Sequence, residues 1–164
     1  MSDYCVVVAE GARARFFTLE PVEVPEFESG PNLKEWNTLM NPEHKAHQRE
    51  VYTDVRSGRN RGNAGEAHAY DDHRDQHDAE MEHRFARTIA GELEQFAGEH
   101  SASRVVLCAE KQMLGYLRGA LNGHARKDLA ITEVAKDLTR LSPRDLHEKL
   151  ARDGVLPKRR ERQT

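Results

Sequence analysis

The chain has 164 residues, with 25 Lys and Arg against 28 Asp and Glu, a net charge of −3 before any of its 9 histidines protonate. Hydrophobic residues make up 37% and charged residues 32%, so this is a polar chain of one-domain length whose core must come from clustered apolar runs. The balance gives no global attraction to nucleic acid. No apolar run approaches the roughly 18 residues of a membrane-spanning helix, and two isolated cysteines make neither a disulfide framework nor a CxxC metal or redox motif.

Tyr4 to Ala9 is a continuous β-rich run ending at Glu10-Gly11, the pattern of a strand buried on both faces and followed by a turn. Ala12 to Leu19 gives a second strand, and the short glycine-containing connection makes the two an antiparallel hairpin. After the acidic, proline-punctuated stretch from Pro21 to Pro31, Leu33 to Met40 reads as a third strand, although its spacing also suits a helical turn. From Asn41 to Asp75 the chain is polar and rich in His, Gly and Arg, with almost no large apolar side chain after Val55. Such a stretch reads as a mobile linker or a functional loop.

Met81, Phe85, Ile89, Leu93 and Phe96 then place one apolar stripe on a helix over Asp75 to Gly98. Arg104 to Ala109 is a second buried strand, and Leu114, Leu117 and Leu121 give a short helix after it. Ala130 to Leu138 reads as a further strand. Ser142-Pro143-Arg144-Asp145 is an N-cap, a proline in the first helical turn and an acidic third position, with Gly154 past the helix end. The expected fold is α/β: a single mixed sheet, an antiparallel hairpin or meander followed by βαβα, with helices packed on it. Residues 1–157 form one domain and 158–164 a basic, mobile tail. Cys5 and Cys108 read as core thiols, and the acidic start of the chain, unlike a signal peptide, points to the cytoplasm with no membrane insertion.

Two clusters could carry chemistry. His73 and His77 are four apart and could share a helix face, with Asp72, Asp78 and His83 near enough to complete a metal shell, against the plainer reading of a solvated, His-rich helix start. The stretch Gly58-Arg59-Asn60-Arg61-Gly62-Asn63-Ala64-Gly65 is a basic glycine loop of the kind that lets backbone amides and guanidinium groups approach phosphate. With Arg56 and Arg74 it makes a candidate RNA- or phosphate-binding set of Arg56, Arg59, Arg61, Gly62, Asn63, Gly65 and Arg74. It is not a P-loop, no GxGxxG follows a strand, and no catalytic motif is present, so the chain reads as a binding module rather than an enzyme, with no cofactor.

The stretch Val6-Val7-Val8-Ala9-Glu10-Gly11-Ala12-Arg13-Ala14-Arg15-Phe16-Phe17, the step Met40-Asn41-Pro42-Glu43, Arg49-Glu50, Arg84-Phe85-Ala86 and the ending Lys136-Asp137-Leu138-Thr139-Arg140-Leu141-Ser142-Pro143 together resemble the bacterial host-attachment protein family over Asp3 to about Leu150. That family in turn resembles the middle domain of archaeo-eukaryotic peptide-chain release factors and Pelota, a mixed α/β fold with a ribonuclease-H-like look. The resemblance implies the ribosome or RNA as partner. Release factors carry Gly-Gly-Gln in the corresponding loop; this chain has Arg61-Gly62-Asn63-Ala64-Gly65-Glu66 there, which lacks the motif for ester hydrolysis. Rival readings are an interaction or signalling factor with a protein partner, and a metal-dependent hydrolase built on the His and Asp cluster.

Overall fold

The computed structural model describes residues 3–44, 64–122 and 129–160, with only the chain path given for 64–75. Five strands form one sheet in the order β3-β2-β1-β4-β5: β1 (Tyr4–Ala9), β2 (Arg13–Glu20), β3 (Asn32–Met40), β4 (Arg104–Cys108) and β5 (Ala130–Val134). β2 runs antiparallel to both β1 and β3, while β1 with β4 and β4 with β5 are parallel. The expected mixed α/β sheet is therefore the fold, and Leu33 to Met40 resolves as a strand. A register shift at Phe16/Phe17 interrupts the β2–β3 ladder.

Alternation in the two central strands builds two cores. Cys5, Val7 and Ala9 of β1 and Val105 and Leu107 of β4 point to one face, where they meet α1 (Ala64–Glu99) and α2 (Lys111–Asn122). Val6, Val8, Val106 and Cys108 point to the other, beneath α3 (Pro143–Arg152) and Leu156. Strands covered on both faces must be apolar throughout, which is why both read as unbroken hydrophobic runs. Cys5 and Cys108 are core thiols, each pushed up to about 12 by burial.

The α1 stripe is buried as its spacing requires, with Met81, Phe85, Ile89, Leu93 and Phe96 all at most 4% exposed. α3 starts on the Ser142 N-cap, whose hydroxyl accepts from the Asp145 amide at 3.1 Å. It ends at Gly154, whose φ of 78° is strained for any residue with a Cβ.

Three expectations are corrected. α1 begins at Ala64, so residues 64–75 of the stretch read as loop are helical, propagated from the packed half of the helix. β5 ends at Val134 rather than Leu138, where the chain turns away through Lys136 and Asp137 and Leu138 is buried against the second core. The residues from Lys158 to Arg160 are not a loose tail: Arg160 and Gly30 exchange backbone hydrogen bonds at 2.8 and 3.1 Å, and Arg159 Nε donates to Asn32 Oδ1 at 2.7 Å. Among the described residues no helix is long and apolar enough to cross a membrane.

Candidate functional site

In a sheet of this order the chain leaves β1 toward β2 on one side and reaches β4 on the other. That reversal opens a crevice at the C-terminal ends of two parallel strands, the usual ligand position in open α/β sheets. Here Glu10 directly follows β1 and Glu110 lies two residues past the end of β4. α1 passes over the crevice and brings Asp78 and Glu82, one turn apart, to the same place. The Glu82 carboxylate lies so close to the hairpin turn that a Cβ on Gly11 would meet its Oε1 at 2.8 Å. Burial, followed by the charges of Asp78, Glu110 and Glu10, pushes the Glu82 pKa up from the ordinary carboxylate value. Burial and these three neighbours disfavour its charged form, and the neighbours favour cationic groups.

The turn beneath the crevice is held by the residues around it. Asn41 is buried, and its side-chain amide donates to the Gly11 carbonyl at 2.9 Å while its Oδ1 accepts from the Glu43 amide. Glu43 in turn pairs with Arg84 of α1 at 3.0 Å. On the opposite face, Arg13 and Arg15 of β2 both donate to the Thr139 carbonyl at 2.9 Å, and Arg15 also reaches the Leu141 carbonyl at 2.6 Å. Arg15 forks onto both oxygens of Glu35, at 2.7 and 2.9 Å. Asp137 Oδ1 accepts from both the amide and the hydroxyl of Thr139, fixing the loop that presents those carbonyls.

Beyond the crevice α1 continues as an arm. β3 lies parallel to β1, so the chain leaves Met40 at this same edge. Glu82 is level with the hairpin turn, and the helix runs through Ala64 to Met81 before reaching it. The stretch from Ala64 to the first buried stripe residue, Met81, is about 25 Å long at the helical rise.

Of the candidate phosphate-binding set, Arg56, Arg59, Arg61, Gly62 and Asn63 lie outside the described residues, and Gly65 and Arg74 fall on the arm of α1. His73 and His77 are one turn apart on the same helix. His83, expected near them, instead stacks on Tyr116 of α2 with ring centroids 5.0 Å apart. Among the described residues no group of three or more His, Cys, Asp or Glu side chains is arranged to hold a metal ion. The acidic crevice is absent from the sequence reading, although a signal existed: both central strands run straight into an Ala-Glu pair, Ala9-Glu10 and Ala109-Glu110.

The molecule is thus an α/β protein with a single mixed sheet, an acidic crevice at its strand reversal and a helical arm rising beside that crevice. The family model for "Protein required for attachment to host cells" matches residues 5–150, and the chain belongs to this host-attachment family. A search of curated proteins finds no match.

Proposed function

We propose that this host-attachment family member is a ribosome- or RNA-associated binding module that contacts phosphate through the basic segment carrying Arg56, Arg59 and Arg61. The observation behind this reading is the arm. The packed half of α1 anchors to the sheet, and its outer half begins at Ala64, directly after the basic segment in sequence and about 27 Å along the helix from Glu82, whose neighbouring carboxylates repel phosphate. Arginine forks on a glycine-punctuated segment are suited to phosphate oxygens, and such contacts give affinity without sequence preference.

The resemblance to release-factor middle domains supports the same reading, since a mixed α/β sheet there also carries a basic glycine loop beside a long helix. The position of Gly-Gly-Gln is taken here by Gly62, Asn63 and residues of the helix start, so the function proposed is docking and not ester hydrolysis. Sedimentation with ribosomes tests it. The parent chain pellets with ribosomes at low salt and dissociates as salt rises, and the variant with alanine at Arg56, Arg59 and Arg61 stays in the supernatant.

A further inference from the structure

The two edges of the sheet differ in kind. At one edge β3 carries the register shift at Phe16/Phe17 and an exposed Lys34, whose ammonium lies 3.9 Å from the centre of the Trp36 ring. A ladder irregularity and a lysine are common means by which an edge strand is kept from pairing further. At the other edge β5 has neither. Its ladder with β4 is unbroken from Ala130 to Val134, no proline or lysine lies in it, and its residues from Ala130 to Glu133 are exposed, with Ile131 at 37%.

Hydrogen-bond alternation fixes which backbone groups this edge offers. The Ala130 amide donates to the Ser103 carbonyl at 2.9 Å, and the Val134 carbonyl accepts from the Ala109 amide at 3.1 Å. Ala130, Thr132 and Val134 thus turn their peptide groups toward β4, and Ile131 and Glu133 turn theirs outward. Among the described residues no strand lies beyond β5 to receive them. The one charged side chain of the strand is neutralised from its own chain: Arg118 of α2 donates through Nε to Glu133 Oε2 at 3.0 Å and through its other nitrogen to Oε1.

We infer that β5 pairs with β5 of a second copy, antiparallel about a two-fold axis at Thr132, joining the two sheets into one. In this register Ile131 of each copy lies opposite Glu133 of the other, and the two exchange both backbone hydrogen bonds. Ala130 lies opposite Val134 and Thr132 opposite itself, so the whole strand is matched and no carboxylates oppose each other. An axis at Glu133 would set the two carboxylates opposite, and an axis at Ile131 would leave Glu133 and Val134 beyond the partner strand. Each Glu133 also brings its own Arg118, so a second copy adds no unpaired charge to the seam. A patch complementary to itself is what a two-fold dimer requires. One short strand per copy buries less than the roughly 1,200 Å² of a standard stable interface, so the dimer is weak and reversible. This inference is independent of the RNA reading above.

Sedimentation velocity of the full chain, across a wide range of concentrations, tests it with T132K, T132E and their equimolar mixture. Thr132 is exposed, so both variants keep the melting temperature of the parent. The sedimentation coefficient of the parent rises with concentration toward that of a dimer. T132K and T132E alone stay monomeric, because like charges meet at the axis, while the mixture associates at lower concentration than the parent. A parent that stays monomeric at every concentration overturns the inference. So do T132K and T132E variants that associate as the parent does, since the contact would then lie elsewhere, and so does a mixture that stays monomeric, since residue 132 would then not face itself.

Discussion

Arg15 shows how one side chain ties distant parts of the chain together. Its side chain is 12% exposed, and it joins Glu35 on the neighbouring strand to the carbonyls of Thr139 and Leu141, more than a hundred residues away in sequence. R15A leaves a carboxylate and two carbonyls without this donor and should lower stability by about 2–3 kcal/mol, measured by denaturant unfolding. The Arg15 hydrogen bond, opposed in part by burial, holds the Glu35 pKa below the ordinary carboxylate value. Stability from a depressed carboxylate is present above its unfolded pKa and is lost as pH falls through the folded one. The gap between parent and R15A should therefore narrow in acid. Glu82 has the opposite sign. Its raised folded pKa gives stability that is present below the unfolded pKa and lost as pH rises through the folded value, so at neutral pH the charged form strains the crevice. E82Q should raise the melting temperature at neutral pH by a few degrees, with the advantage vanishing below the ordinary carboxylate range. Identical melting curves at every pH would mean that the crevice carboxylates do not interact.

α1 is two elements in one. Its inner half carries a stripe with Ile89 wholly buried between sheet and α2, and I89A should cost about 3 kcal/mol through the cavity it leaves. E80A, at an exposed position just outside the packed half, should leave the unfolding midpoint unchanged. The same division explains what the sequence made legible. The inner half announced itself through apolar spacing. The outer half, over residues 64–75, has no apolar stripe to mark it, and its helical state depends on propagation from a packed neighbour that local composition does not encode. β1 and β4 were readable because strands covered on both faces need unbroken apolar runs, and α3 because capping requires Ser142, Pro143 and Gly154 at fixed positions. The apolar Leu138 extends the expected β5 past its end at Val134, because Leu138 is buried through the turn that follows and not through the ladder. The acidic crevice is not legible in the sequence because Glu10, Asp78, Glu82 and Glu110 converge through sheet topology and have no shared spacing along the chain.

At the scale of the molecule, charge is segregated by position. Carboxylates gather where β1 and β4 end, and Arg144, Arg152, Lys158 and Arg159 wall a groove beside α3 on the opposite face. A chain with a small net negative charge has no overall attraction for nucleic acid, so an RNA contact must arise from such local placement. Within the region matched by the host-attachment family, Asn41 fixes the hairpin turn, Glu43 and Arg84 join that turn to α1, and Arg13 and Arg15 hold the loop that leads into α3. The most direct test of the account is co-sedimentation of the full chain with ribosomes at low and moderate salt, beside the triple-alanine variant at Arg56, Arg59 and Arg61. Salt-sensitive pelleting of the parent and none of the variant, with equal melting temperatures for the two, is the expected result. Equal pelleting of both, or no pelleting of the parent at low salt, would contradict it.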